Sequence, residues 1–480
     1  MKIELFALNG SYAHTNLAIR CLKTALFEAG YRDVHLSEAT LRDRTEGLLA
    51  ALVSRQADLY GFSCYIWNIE ETLRLAADLK AVLPHCRILL GGPEVSHDPA
   101  RFRLPFVDAV ITGEGEAAIV TAADTVAAGK PLPFLIEGVD DKAFSSRGIH
   151  YTGEALRGSL VYYESSRGCP FSCAFCLSSA TRGVRAKTAQ KTLADLLEFE
   201  AFPQPLTIKL VDRTFNFDRA RAKAIWQGLL SEKYTKCYHF EIAADLLDEE
   251  CFDILSRFPA GKVRLEIGLQ STNAQTLAAI CRKTNTAAVL AAAKRLSAMG
   301  NLHVHLDLIA GLPFEDLVSF ARSFDAAYPC CHMLQLGFLK LLHGTALRER
   351  ATELGISYSE APPYTVLQTP WLSFADLHRL HGIADILDRI LEKGRCKRAI
   401  PYILQRVSSP FWWYSGFLDY CLKHDERPLQ SISQRDLFSL LADYGRTCLE
   451  GEAARSEFLT LLRLDFADGE VRKPPKSLNR

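Results

Sequence analysis

The stretch 166-SRGCPFSCAFC-176 holds three cysteines, Cys169, Cys173 and Cys176, spaced by four and by three. It continues directly from 159-SLVYYESS-166, which reads as a short strand, so the thiols fall on a Gly- and Pro-containing loop at a strand exit. Three readings compete for such a loop. An accidental cluster of buried thiols gives no reason for the loop position. A structural zinc ion wants four ligands, usually as two paired halves. No second Cys-x-x-Cys or His pair follows: Cys237, Cys251 and Cys281 stand alone in strand or helix patterns, and Cys330 and Cys331 are adjacent. A four-iron cluster normally takes four thiolates, so three leave one iron open.

Downstream of the loop, apolar runs at 206–212, 237–243, 262–269, 302–309 and 332–339 read as strands, each followed by a helical stretch. With 159–166 they make six strand-helix units, short of the eight of a closed barrel, and predict a partial barrel with its chemistry at the strand C-terminal ends. Upstream, strand-like runs at 3–8, 58–65, 87–92 and 107–113 alternate with helical spacing at 16–28, 43–56 and 68–83. That rhythm predicts an α/β, doubly wound parallel sheet, which binds ligands at the carboxyl ends of its strands. Asn9, Ser63, Gly91, Gly92, Gly113, Glu114 and Gly115 fall at those ends. Pro131, Pro133, Gly148 and Gly153 break the rhythm and predict a linker with one small hairpin. Beyond 346 the segments 373–393, 411–423, 433–448 and 451–464 read as helices, and the Pro-Pro tail 469–480 reads as mobile. The expected division is 1–135 for the doubly wound domain, 136–158 for the linker, 159–345 for the barrel and 346–480 for a helical domain.

In 480 residues, 56 Lys and Arg balance 56 Asp and Glu, so no global field gathers nucleic acid or anionic lipid. The aromatic-rich 410-PFWWYSGFLDY-420 has no basic residues to track a phosphate backbone. No apolar run approaches the roughly 20 residues that span a membrane, and the N-terminus lacks signal-peptide features. The fourteen cysteines then belong to a reducing cytoplasm.

The spacing Cys-x3-Cys-x2-Cys, with Phe175 before the last cysteine, resembles the radical S-adenosylmethionine (SAM) superfamily. The resemblance implies a 4Fe-4S cluster on Cys169, Cys173 and Cys176, with the amino and carboxylate groups of SAM on the open iron. Reductive cleavage of SAM then gives a 5'-deoxyadenosyl radical. It also implies an external electron donor such as flavodoxin or ferredoxin. The loop 212-DRTFN-216 stands where the family meets the methionine moiety, which implicates Phe175, Asp212, Arg213 and Thr214; a turn or capping role is the alternative for Asp212. The run 266-EIGLQS-271 resembles the family's fourth, polar-ended strand, and Arg282 lies where an arginine meets the SAM carboxylate or, alternatively, makes a surface salt bridge. Glu266 and Gln270 share the parity of Gly268 and should face the barrel interior, and the resemblance implies that both, with Arg282, contact SAM.

The N-terminal sheet resembles the cobalamin-binding domain of the cobalamin-dependent subgroup, on 61-GFSCYIWN-68, 91-GGPEVS-96 and 112-TGEGE-116. His14, in 12-YAHTNL-17, is the nearest match to that domain's Asp-x-His-x-x-Gly cobalt-ligand motif, with Tyr12 and Leu17 replacing Asp and Gly. A sheet retained only for substrate or partner binding is the alternative. The helical C-terminal part resembles a domain of unassigned role in the same group, with Tyr364 and Trp371 read as packing. The resemblance implies methyl transfer from cobalamin to an unactivated carbon of a small-molecule or peptide substrate. Radical cyclisation or rearrangement is the runner-up, and a non-catalytic iron-sulfur protein is the reading from another class.

Overall fold

The structure is a computed structural model describing residues 1–151, 160–180, 183–202, 207–392, 395–469, 475 and 477. The N-terminal sheet contains β1 (Ile3–Asn9), β2 (Val34–Thr40), β3 (Leu59–Ser63), β4 (Arg87–Gly91), β5 (Ala109–Thr112) and β6 (Leu135–Glu137). All pair in parallel in the order β2-β1-β3-β4-β5-β6. Helices α1 (Leu17–Glu28), α2 (Thr45–Arg55), α3 (Ile69–Val82), the short α4 (Pro93–Ser96) and α5 (Gly115–Ala127) connect them. Alternation in β1 sends Ile3, Leu5 and Ala7 into one core and Phe6 and Leu8 into another, so both faces are covered. The chain winds in opposite directions from β1 and β3, which makes the crevice at their carboxyl ends the topological switch point.

Two strands escape the sequence pattern. β2 is an edge strand with five of its seven residues only half-buried, so it carries no apolar run. β6 has three residues and pairs in parallel with β5, and among the described residues of the linker no hairpin forms. After β6 the described chain to 151 makes turns, and its Phe144 and Tyr151 are buried. Residues 152–158 of the expected linker, the start of the 159–166 run and most of the 469–480 tail lie outside the described residues.

The second sheet contains β7 (Leu160–Tyr163), β10 (Thr207–Leu210), β11 (Cys237–Ile242), β12 (Val263–Gln270), β13 (His303–Ala310) and β14 (Met333–Phe338), all parallel and in that spatial order. Six strands form the expected partial barrel, with outward-facing Ile208, Phe240, Leu265, Val304 and Leu306 fully buried under the helices. The run 159–166 resolves into two pieces. β7 ends at Tyr163, and Ser166–Gly168 forms β8, antiparallel to β9 (Val184–Ala186). The cysteines lie between the arms of that hairpin.

Each rim of the barrel is covered. Leu160 N–H of β7 donates to Ala13 O at 3.3 Å, and the helix Phe374–Leu387 packs on β14, with His381 stacked 3.4 Å from Phe338. That helix starts at a Ser373–Asp376 capping box. With Pro410–His424, Gln434–Cys448 and Glu452–Gly469 it builds the helical C-terminal part, whose core is continuous with that of the barrel. No helix among the described residues is long and apolar enough to cross a membrane.

Candidate active site at the barrel mouth

The cysteine loop is held by backbone at its centre. Ala174 is buried; its N–H donates to Ile280 O and its carbonyl accepts from Leu347 N–H, both at 2.9 Å. Gly168, at φ +92°, opens the loop, and a Cβ there would run into Gly183 O, so only glycine closes this hairpin. Cys173 is buried, Cys169 and Cys176 are part exposed, and Phe175 packs against the main core. Burial pushes the Cys173 thiol up, and Arg282, with Nη1 3.6 Å from its Sγ, works the other way.

The 212–216 loop divides its work. Asp212 is fully buried, and its Oδ1 accepts from the N–H groups of Ser165 (2.7 Å) and Ser166 (3.0 Å) while Oδ2 accepts from Ser165 Oγ. Arg221 closes the group by donating to Ser165 Oγ at 2.6 Å. Asp212 therefore anchors the strand exit leading to the cysteines, the turn role named as its alternative. Thr214 Oγ1 is 3.6 Å from Cys169 Sγ. Arg213 is exposed and acts electrostatically on Glu241 inside the barrel and on Tyr65 of the N-terminal domain.

At the end of β12 the register slips between Gly268 and Gln270, and Gln270 takes φ +69°. The turn brings its amide over Gly268 beside Arg282, whose Nη2 donates to Gly268 O. Gln270 Oε1 and Arg282 Nε are buried without a partner. Arg282 thus faces the cysteine loop, and it makes no salt bridge among the described residues. Glu266 faces the interior, where Lys209 Nζ lies 2.8 Å from it and 3.1 Å from Glu241, and His239 Nε2 lies 3.0 Å away. Burial alone would raise Glu266; the His239 bond and the Lys209 ammonium reverse that and bring it to about 2. The sequence reading missed Lys209, His239 and Glu241. The available signal was polar alternation, as in 302-LHVHLDLI-309, within strands otherwise expected to be apolar.

In the N-terminal domain, Asn68 ties the switch point together by donating to Leu8 O (3.0 Å) and Ser63 O (2.9 Å). Ser63 Oγ accepts from Asn16 at 3.3 Å, and Asn9 donates to Glu38 and to His14 O. Gly92, at φ +120°, approaches so closely that a Cβ would stand 2.5 Å from Cys64 O. Gly91, Gly113 and Gly115 lie at the neighbouring strand ends. Two expected cofactor contacts are engaged elsewhere. Glu114 is spent on Arg167 (2.7 Å) and Arg185, and His14 Nδ1 is 2.5 Å from Tyr162 OH of β7, its ring stacked on the tyrosine. Tyr364 is fully buried and donates to Glu94 of α4, while Trp371 packs on Phe314.

A flavodoxin-like sheet set against a six-stranded half-barrel with a three-thiol loop defines a two-cofactor class. Residues 5–123 match the family described as B12 binding domain, residues 163–327 the Radical SAM superfamily, and residues 352–480 the family described as Protein of unknown function (DUF4080). The chain thus carries a B12-binding domain followed by a radical SAM domain. It is 28% identical over 309 residues, 55% of this chain and 44% of the relative, to the cobalamin-dependent radical SAM methyltransferase TokK of Streptomyces tokunonensis. It is 24% identical over 287 residues, 54% of each chain, to the hopanoid C-3 methylase of Methylococcus capsulatus. The chain spans about half the length of these curated relatives. Among solved structures, the cobalamin-dependent SAM radical enzyme OxsB aligns with a TM-score of 0.64 at 15% identity, covering 98% of this chain and 84% of that one. The radical SAM methyltransferase TsrM from Kitasatospora setae aligns at 0.62 and 15%, covering 75% and 79%.

The cofactors that go with these domains are cobalamin, a 4Fe-4S cluster and SAM. The donor set fits. Three free thiols on one loop are the donor chemistry that a four-iron cluster with one open iron takes. The unpartnered Gln270 and Arg282 atoms beside Cys173 are the kind of polar groups a bound ligand satisfies.

Proposed function

We propose that this chain is a cobalamin-dependent radical SAM methyltransferase acting on an unactivated carbon. The observation that carries the reading is the three-thiol loop at the mouth of a half-barrel, joined by ion pairs to the β5–α5 turn of the B12-binding domain. The methyltransferase names of TokK and TsrM support the reaction type. Bound together, the cofactors supply a carbon radical and a transferable methyl group.

The chain's own residues supply position and charge. Cys169, Cys173 and Cys176 offer three thiolates, and Ala174 fixes the loop that carries them. Arg282 and Gln270 present polar atoms beside Cys173, suited to the amino-acid end of SAM, with Phe175, Arg213 and Thr214 around it. Asn9, Ser63, Gly91, Gly92, Gly113 and Gly115 border the cobalamin crevice. Glu114 and His14 hold that domain to the barrel. An external flavodoxin- or ferredoxin-type donor provides the electron, and the setting is cytoplasmic.

The test is anaerobic reconstitution with iron, sulfide, hydroxocobalamin and SAM plus a reductant. The expected results are corrin absorbance that survives gel filtration and formation of 5'-deoxyadenosine that Cys173→Ala abolishes. Corrin-free protein, or 5'-deoxyadenosine from the variant, sinks the reading.

A further inference from the structure

We propose that Tyr364, at the entry to the C-terminal region, is a positioning residue for the corrin: its hydroxyl, bonded to Glu94, holds α4 and the turn at Gly91 and Gly92 in the shape the cobalamin crevice needs. This rests on the cobalamin reading and adds to it a task for the region matched to the family of unknown function.

Tyr364 takes φ +59°, in the left-handed region that residues bearing a Cβ seldom adopt, and it is fully buried. Such a conformation persists only where the surroundings over-determine it, and it clusters where geometry serves function. Its backbone is fixed to the barrel: Leu341 N–H donates to Tyr364 O, and Val366 N–H to Leu339 O, both at 3.0 Å, in the segment that follows β14. The side chain reaches the other way, into the N-terminal domain. Packing accounts for the ring, which Arg348 covers at 4.9 Å from its centroid, and leaves the hydroxyl and its carboxylate unexplained.

The hydroxyl donates to Glu94 Oε1 and accepts from Arg101 Nη2 at 3.2 Å. Glu94 is buried in α4, two residues after Gly92, and its N–H donates to Cys64 O at 3.3 Å beside the switch point. One glutamate therefore has its backbone on the corrin crevice and its side chain on a residue anchored to the barrel. Burial raises the Glu94 carboxyl, and the Tyr364 hydroxyl and Arg101 work the other way. Arg101 closes the contact from the opposite side. Its Nη1 donates to His343 Nε2 at 2.5 Å, an acceptor nitrogen because burial takes that ring down to about 4. Gly344, at φ +85°, passes so close to His97 at the end of α4 that a Cβ would run into its ring. Three residues on, Leu347 N–H donates to Ala174 O of the cysteine loop. The segment 339–347 thus runs from α4 to the cysteine loop, and Tyr364 fixes its end nearest the corrin.

The test titrates hydroxocobalamin into the anaerobically reconstituted full chain and follows corrin absorbance. Tyr364→Phe should raise the corrin dissociation constant about tenfold, or about 1.4 kcal/mol, comparable to the net worth of one hydrogen bond. It should also alter the EPR signal of bound cob(II)alamin, with iron content unchanged. Glu94→Gln keeps an acceptor for the hydroxyl and should stay within about threefold of wild type. Glu94→Met removes the acceptor and should lose about tenfold; it decides the matter if Tyr364→Phe fails to fold by circular dichroism. Unchanged corrin affinity in the folded variant, a lower thermal midpoint with unchanged affinity, or equal losses in Glu94→Gln and Glu94→Met overturns the proposal. Wild-type chain that binds no corrin sinks the cobalamin reading and this role with it. Wild-type binding that Tyr364→Phe leaves intact sinks only the role of Tyr364.

Discussion

Arg167 Nη2 lies 2.5 Å from Glu116 Oε1, an ion pair that joins the cysteine hairpin to the first turn of α5 in the B12-binding domain. The same guanidinium meets Glu114 at 2.7 Å and Glu164 at 2.8 Å and is only 13% exposed. Burial alone would raise Glu116; Arg167 holds it below the usual carboxylate range.

Arg167→Met should therefore destabilise the joint strongly, because it strands Glu116 and Glu164 and leaves Arg185 as the ion-pair partner of Glu114. Breaking a buried pair costs about 3–5 kcal/mol, taken here near 3 for the residual exposure. Hydrogen exchange of the full chain should show faster exchange at 160–168 and 112–118 together. Unchanged protection on either side would mean the pair does not couple the domains.

Gly92→Ala should expel the corrin. The substitution adds a Cβ 2.5 Å from Cys64 O at a backbone angle that L-residues rarely adopt, a strain of about 1–3 kcal/mol. Because Gly92 links β4 to α4 beside the switch point, corrin absorbance after gel filtration should fall while iron content stays. Full corrin retention would refute the role.

Cysteine substitutions should divide sharply. Cys281 is exposed, at φ +55° just before Arg282, so Cys281→Gly should keep the iron-sulfur absorbance. Cys169→Ala and Cys176→Ala should lose it. Loss of absorbance in the Cys281 variant alone would move the cluster assignment.

Glu315 sets a pH dependence. It is fully buried, and its Oε1 accepts from Ser271 Oγ at 2.5 Å and from Ser323 Oγ at 3.2 Å. Burial raises its carboxyl to about 7 from an ordinary 4.5. A folded-state value above the unfolded one means the stabilisation is complete below pH 4.5 and is lost as pH rises through 7. At pH 8 the deficit is on the order of 3 kcal/mol. Glu315→Gln should raise the thermal midpoint at pH 8 and leave it nearly unchanged at pH 4.5. Equal shifts at both values would refute the assignment.

Much of this was readable one segment at a time. The cysteine loop, the six barrel strands and four of the N-terminal strands carry local patterns of spacing and hydropathy. β2 and β6 do not, since an edge strand such as 34-VHLSEAT-40 buries too little to need apolar residues. The contacts that build the site join distant positions: Asp212 with Ser165, Arg282 with Cys173, Tyr364 with Glu94. No spacing rule encodes such pairs. Glu114 shows the cost, for its place at a strand end suggests a ligand contact while its partners are two arginines and the Asp141 N–H. Glu266 was legible as an inward carboxylate from parity, but its ammonium partner was not, because Lys209 and Glu266 are 57 positions apart.

The backbone bond from Leu160 to Ala13 makes the first barrel strand dependent on a loop of another domain. A barrel cut free at residue 159 would lose the partners of the Leu160 and Tyr162 amides, Ala13 O and Tyr151 OH, and open that edge of β7 to self-association. Among the described residues the two sheets meet at a single backbone bridge, so truncation between the domains uncovers an edge strand that the whole chain protects.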